Sequence, residues 1–166
     1  MRRIVLAWVA LVALLVPGPP ALASDNESTR ASLKGLGGVW VLVESFSEAA
    51  QRAGFDDRNF QTDVELKLRM AGIKVQTEEE WLATPGRPWL YLLVSPQHER
   101  RGARAAFAIH LELKQFVTLV RNDAPVPAAT WSTGSVGFGD LPYVRDGVKG
   151  GVDEFINAWL NVNPKE

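Results

Sequence analysis

Three stretches of the chain have the apolar pattern of β-strands. Residues 39–46 (VWVLVESF) open with five apolar residues in a row, which predicts a central strand buried on both faces. Residues 89–95 (WLYLLVS) form a second strand-like run. In residues 105–121 one face is expected to be buried, because four apolar residues alternate with small or polar ones: Phe107, Ile109, Leu111 and Leu113. Residues 128–138 are predicted to return beside this third run as its hairpin partner.

The alternation in the longest strand does not continue to its end. Gln115 breaks the apolar face, while Phe116 and Val120 are apolar on the other face. A shift of one residue in the alternation is what a β-bulge produces. We therefore expect a bulge near Lys114-Gln115.

Two further stretches repeat apolar residues at helical spacing. Residues 57–71 have Asp56 or Asp57 as an N-cap and an apolar stripe of Phe60, Val64, Leu68 and Ala71. A short strand at residues 73–76 is predicted to follow. Thr77 and Glu80 then match a capping box, which predicts a brief helix as far as Ala83.

The last helix has the longest apolar stripe. Residues 141–162 begin after an N-cap at Asp140, end before Pro164, and carry apolar residues at steps of three and four: Leu141, Val144, Val148, Val152, Phe155, Trp159 and Val162. Three glycines lie inside this helix: Gly147, Gly150 and Gly151. Each costs up to about 1 kcal/mol of helix propensity relative to alanine. We interpret them as letting the helix lie close to the sheet.

The order of elements, β-α-β-(α)-β-β-β-α, indicates an α+β fold. Its simplest form is a mixed, mostly antiparallel sheet of about five strands with the two long helices packed on one face. The first β-α-β unit can pair in parallel through a right-handed crossover. Residues 39–163 are predicted to form this single domain.

The first 23 residues predict export. They combine basic Arg2 and Arg3, an apolar run at residues 4–16 and the small-residue pattern Ala21-Leu22-Ala23, which is the organisation of a secretory signal peptide. The apolar run is too short to cross a bilayer, which needs about 20 residues. We predict cleavage after Ala23, a periplasmic or extracellular location without a membrane anchor, and a flexible polar leader at residues 24–38.

Charge and cysteine content remove several classes of function. The chain has 18 Lys and Arg residues against 19 Asp and Glu, and two of its arginines lie in the predicted signal. The remaining domain is therefore acidic, which argues against nucleic-acid binding. Because there is no cysteine, thiol catalysis and thiolate metal sites are excluded. His98 and His110 with Glu99 and Glu112 lack a well-spaced third ligand, so we expect no metal and no cofactor.

The stretch TWSTG at residues 130–134 resembles the G-x-S-x-G nucleophile elbow of α/β-hydrolases in a variant that begins with threonine. An elbow serine is followed at once by a helix, and its histidine comes later in the chain. Here the next helix is predicted to begin near Leu141, and both histidines precede Ser132. A hydrolase using Ser132, or the nearby Ser135, is therefore the least favoured alternative, and we expect no catalytic residues.

Candidate binding residues are aromatic or basic. Trp81 and Trp89 flank a proline-containing turn, and Trp131 lies on the strand that contains TWSTG; exposed aromatic residues commonly mark contact surfaces. Arg100 and Arg101 form a basic turn that suits an anionic envelope component. A small-ligand carrier is the second alternative, with Trp89, Trp131 and Trp40 beside a pocket.

The strings DVELKLRMAGIKV, TWSTGSVG and DEFINAWLNVNPK resemble a family of uncharacterised exported bacterial proteins, and that resemblance implies no activity. In its order of strands and helices the domain is also similar to small modules of the bacterial envelope, the TolB N-terminal domain and the LpoB-type lipoproteins. Those modules bind other proteins, although this chain lacks the lipid-anchoring cysteine of the LpoB type. We therefore expect a non-catalytic exported domain that binds a protein or another envelope component.

Overall fold

The computed structural model describes residues 25–97 and 104–164. The predicted signal segment lies outside these residues. Four strands and five helices occur in the described part of the chain, in the order α1 (Glu27–Ala31), β1 (Trp40–Val43), α2 (Glu48–Arg52), α3 (Asp57–Met70), α4 (Glu78–Ala83), β2 (Trp89–Pro96), β3 (Ala105–Thr118), β4 (Pro125–Gly139) and α5 (Leu141–Val162). The predicted α+β class is confirmed.

The sheet has the strand order β1-β2-β3-β4. β1 pairs with β2 in parallel, and the other two pairings are antiparallel. The sheet has four strands rather than about five. The predicted strand at residues 73–76 is reduced to one parallel bridge, Val39 to Val75, because the capping residue Thr77 starts α4 two residues later.

One face of the sheet forms the core together with α3 and α5, as the predicted arrangement of the two long helices requires. Ten buried side chains point to this face: Val41, Val43, Leu90, Leu92, Val94, Phe107, Ile109, Leu111, Leu113 and Trp131. On β1 the intervening Trp40 and Leu42 are half-buried. The expectation that β1 is a central strand buried on both faces is therefore wrong: β1 lies at one edge of the sheet, and its four residues, all apolar, serve one buried face and one partly exposed face.

The predicted bulge is present, but the extra residue lies on β4 rather than on β3. The register shifts between Leu113, which pairs with Trp131, and Lys114, which pairs with Ala129. Thr130 is thereby left without a pairing partner on β3. The alternation of β3 continues through Lys114, and it is β4 that changes phase.

The glycines of α5 do allow close approach, at one position in particular. A Cβ atom at Gly147 would lie 2.8 Å from Cδ1 of Ile109 on β3, whereas a Cβ atom at Gly150 would meet nothing within 4 Å. The helix therefore approaches the sheet most closely at Gly147.

This difference predicts unequal effects of two alanine substitutions on the free energy of unfolding. We expect Gly150→Ala to raise the free energy of unfolding by about 0.5–1 kcal/mol through helix propensity. Gly147→Ala should give no such gain, because crowding Ile109 in the core costs about 1 kcal/mol or more. Chemical denaturation of both variants measures the difference, and an equal gain at the two positions would contradict it.

Residues 24–38 were expected to be a flexible leader, but from Asp25 onwards they pack on the domain. They contain α1, and Leu33 is fully buried in the core. Among the hydrogen bonds that hold the segment, Asn163 donates from Nδ2 to the carbonyl oxygen of Leu33 at 2.9 Å, and Trp159 donates from Nε1 to that of Leu36 at 3.0 Å. The buried apolar side chains of the segment, Leu33 and Leu36, fix its position on the domain, although most of its residues are polar.

Asp25 links the start of this segment to the core residue Trp131 through a hydrogen bond. Its carboxylate accepts two hydrogen bonds from Arg30, each 2.7 Å long, and one of 3.0 Å from Nε1 of Trp131. The contact with Arg30, and to a lesser extent that with Trp131, lowers the pKa of Asp25 against the opposing effect of burial. The ionised form of Asp25 therefore stabilises the folded state.

We expect Asp25→Asn to lower the free energy of unfolding by about 0.5–1 kcal/mol at pH 7, the scale of a partly exposed ion pair. The asparagine keeps an acceptor for Trp131. A group with a lowered folded pKa contributes fully above its unfolded pKa, about 3.9, and loses that contribution as the pH falls through the folded value. The variant and the wild type should therefore converge in urea unfolding as the pH falls through the folded pKa of Asp25; a gap that stays constant throughout the acid titration would refute the ion pair as its cause.

Candidate functional site

The face of the sheet opposite α3 and α5 is the largest polar and aromatic surface that the strands build. We call it the open face. Pairing sets its side chains in rows across the strands, of which the central two are Leu42-Tyr91-Glu112-Ser132 and Leu93-His110-Gly134. Its β1–β2 half is apolar and half-buried, and its β3–β4 half is mostly polar or small.

Four aromatic rings meet at one corner of the open face, where α4 covers the ends of β1 and β2. We call this group, Trp40, Trp81, Trp89 and Phe116, the aromatic corner. The ring centroid of Trp81 lies 5.0 Å from that of Trp40 and 6.0 Å from that of Trp89, and Phe116 lies 6.0 Å from Trp89. The predicted binding residues Trp81 and Trp89 are therefore brought together, and both are half-buried.

Two buried side-chain atoms have no hydrogen-bond partner among the described residues: Nε1 of Trp81, in the aromatic corner, and Oε1 of Gln76, in the segment that precedes α4. The orientation of the Gln76 amide is fixed, because its Nε2 donates to Oγ1 of Thr84 and that hydroxyl donates to the Glu80 carbonyl. An unpaired buried polar group costs about 1–3 kcal/mol. Ring packing rather than hydrogen bonding therefore holds Trp81 in place.

Beside the aromatic corner, Tyr91 links the apolar and the polar halves of the open face. Its hydroxyl donates to the Glu44 carboxylate at 2.7 Å, and Nζ of Lys114 lies 3.8 Å from its ring centroid. Lys114 also forms an ion pair with Glu112 at 3.2 Å. Burial, followed by the hydrogen bond to Glu44, raises the pKa of Tyr91 to about 12.

The high pKa of Tyr91 gives a direct readout of this contact. We expect Glu44→Gln to lower the pKa of Tyr91 from about 12 part of the way towards the ordinary value of about 10, because burial remains when the negative charge is removed. A near-ultraviolet absorbance titration reports this, and Tyr91→Phe identifies which of the two tyrosines titrates. An unchanged pKa in Glu44→Gln would mean that the hydrogen bond is not formed.

The raised pKa of Tyr91 also fixes the direction in which the free energy of unfolding changes with pH. Because the folded state of Tyr91 binds its proton more tightly than the unfolded state does, its contribution is complete below pH about 10 and is lost as the pH rises through about 12.

Ser132 lies on the open face, opposite Glu112, and His110 lies one row away opposite Gly134. The sheet thus brings a serine, a histidine and a carboxylate near one another. However, no hydrogen bond joins Ser132 to His110 or Glu112 among the described residues. Ser132 also lies inside an extended strand that continues to Gly139, and α5 begins only at Leu141. The sharp turn that exposes an elbow nucleophile is absent from this stretch.

Of the remaining predicted site residues, Trp131 does not join the open face. Trp131 is 1% exposed and packs edge-on against Phe155 with the centroids 5.3 Å apart. It is a core residue, which corrects its interpretation as a binding residue. Arg100 and Arg101 lie outside the described residues. The pocket imagined for a small-ligand carrier is not formed by Trp40, Trp89 and Trp131, since the first two lie on one face of the sheet and the third on the other.

Two surface clefts lie elsewhere. One, of about 140 Å³, separates α5 from β4 and is lined by Ile109, Thr133, Gly134, Ser135, Gly147, Gly150, Gly151 and Glu154. The other, of about 430 Å³, lies between α1 and the end of α5 and includes Asp25, Arg30, Lys34 and Asn161. Neither is lined by a tryptophan.

The position of four residues on the open face was not predicted from the sequence: Leu42, Glu44, Tyr91 and Leu93. Their signal was present in the runs VWVLV and WLYLLVS, but every second residue of such a run is buried, and only the pairing register shows which half remains outside.

Comparisons with protein-family models, with curated proteins and with solved structures find no match for this chain. The similarity to TolB N-terminal and LpoB-type modules therefore stays a prediction. Among the described residues no three His, Asp or Glu side chains are grouped as metal ligands. None of the described helices combines the length and apolar character needed to cross a membrane.

Proposed function

We propose that this chain is an exported, non-catalytic domain that binds another protein of the cell envelope through the open face of its sheet. The observation that carries this proposal is the half-buried apolar group Leu42, Tyr91 and Leu93 beside the aromatic corner. Contiguous apolar surface bordered by polar residues is typical of contact sites.

The composition of the open face suits a protein interface. Aromatic residues are enriched at the centre of interfaces, and charged residues at their rim. Here Trp89 and Tyr91 lie on the same strand, and Glu44, Glu112 and Lys114 surround Tyr91. A partner that covered this face would bury apolar surface and meet charges of both signs.

The shape of the face favours a protein over a small ligand. Neither of the two clefts described above is lined by Leu42, Tyr91 or Leu93. Small ligands bind in concave sites, whereas a strand-built face offers a broad contact. No observation favours the carrier or the hydrolase alternative.

A differential capture experiment tests the proposal. The mature chain is immobilised and exposed to envelope extract, and the retained proteins are quantified by mass spectrometry. Leu93→Glu places a charge at the centre of the open face, while Met70→Glu places one at an apolar residue of α3 that is already 79% exposed. We expect Leu93→Glu to reduce recovery of the partner at least about tenfold, the scale of losing a central apolar contact, and Met70→Glu to leave it unchanged.

Circular dichroism and the melting temperature of both variants control for folding. Retention of the same proteins at wild-type levels by folded Leu93→Glu would overturn the open face as the binding surface. Loss of recovery in Met70→Glu as well would show that the capture is not specific to that face.

A further inference from the structure

β4 forms one edge of the sheet, and the direction of its backbone groups follows from the hydrogen bonds of its neighbours. Gln97 donates its N–H to the carbonyl oxygen of Ala106, so the even-numbered residues of β3 turn their backbone groups towards β2. The backbone N–H and C=O groups of the odd-numbered residues of β3 then point towards β4. These residues form the hydrogen-bonded pairs with the odd-numbered residues of Trp131–Gly139. The N–H and C=O groups of the intervening residues therefore point away from the sheet: Ser132, Gly134, Val136 and Phe138.

Two side-chain contacts confirm this direction independently. The carbonyl oxygen of Thr130 accepts a hydrogen bond of 3.3 Å from Oγ of Ser32 on the segment that follows α1, and that of Phe138 accepts one of 3.4 Å from Arg104. Both acceptors lie on even-numbered residues of β4, outside the pairing with β3.

The first half of this edge is protected, but the second half is not. Exposed sheet edges are normally blocked by proline, charge, bulges or a covering segment. Pro125 and Pro127 lie in the first half, and the bulge at Thr130 and its contact with Ser32 end it. Residues 131–139 contain neither proline nor charge, and the side chains of Val136 and Phe138 are 84% and 59% exposed. Within residues 25–97 and 104–164, a contact on the outer side of this part comes from Arg104, through one long hydrogen bond to the Phe138 carbonyl oxygen and a contact with the Phe138 ring at 5.3 Å.

The unprotected half is complementary to itself. If the segment is paired antiparallel with a copy of itself about Ser135, each large side chain lies opposite a small one: Trp131 with Gly139, Ser132 with Phe138, Thr133 with Gly137, and Gly134 with Val136. Ser135 is opposite itself. Absence of charge means that no like charges are opposed. Centring on Ser135 also uses the whole stretch between the covered Thr130 and the helix cap Asp140.

We propose that two copies of this chain pair through β4, antiparallel and centred on Ser135, to form one continuous eight-stranded sheet. The outward groups of Ser132 and Phe138 then exchange hydrogen bonds across the dyad, as do those of Gly134 and Val136, giving about eight bonds in all. In the dimer the long hydrogen bond from Arg104 to the Phe138 carbonyl oxygen is broken, and that oxygen accepts from the partner strand instead. The two open faces become one surface.

Cross-linking tests the register directly, since the chain has no cysteine of its own. In the proposed pairing Ser135 and its copy form a non-hydrogen-bonded pair with Cα atoms about 4.5 Å apart, which fits a disulfide. We expect Ser135→Cys to oxidise to a covalent dimer. Val136→Cys is the matched control: it is adjacent and exposed, but the two copies are offset by about 7 Å along the strands and lie too far apart to bond.

A second variant tests the association without cross-linking. Val136→Pro removes an outward N–H, which an edge strand tolerates without losing its inner pairing. By sedimentation at about 100 µM, which saturates an association with a dissociation constant of about 1 µM, the wild type should be dimeric and folded Val136→Pro monomeric. A monomeric wild type at this concentration, or cross-linking of Val136→Cys as efficient as that of Ser135→Cys, would overturn the proposal.

Discussion

The structure depends on the burial of one face of a four-stranded sheet against two helices. Leu90 and Leu92 of β2, and Leu111 and Leu113 of β3, are buried almost completely on this face, and each such side chain contributes about 1.5–3 kcal/mol on leaving water. Two long helices suffice to cover one side of four strands. The other side is therefore left with half-buried aromatic and aliphatic residues, which is why this face, rather than a cleft, is the place to look for a binding role.

A single extra residue at Thr130 decides what β4 presents on each side. Before the bulge Ala129 lies beside Lys114 on the open face, and after it Trp131 lies beside Leu113 in the core. Without the bulge the alternation would be reversed, so that Trp131 would point outwards and Ser132 inwards. The stretch that resembles a nucleophile elbow is thus part of an edge strand whose tryptophan belongs to the core and whose serine lies on the open face.

The local signals in the sequence predicted the helices well. The caps at Asp56, Thr77 and Asp140, and the stripes behind them, identified α3, α4 and α5 to within a residue or two, because capping and helical spacing depend on neighbours in the chain. The polar segment before β1 was judged by its average composition, and this hid Leu33 and Leu36, whose burial depends on α5. The candidate site was predicted only in part: Trp81 and Trp89 were found, whereas Leu42, Tyr91 and Leu93 were not.

The sequence by itself determined where helices begin and end, that β3 has one buried face, and that a bulge interrupts the hairpin. Each of these follows from residues close in the chain, through backbone hydrogen bonding and the periods of helix and strand. Only the tertiary structure decided which faces of β1 and β2 stay open, on which strand the bulge lies, and that Trp131 is inside. These depend on pairing register between distant segments, and a shift of one residue in that register exchanges the buried and the exposed side of a strand.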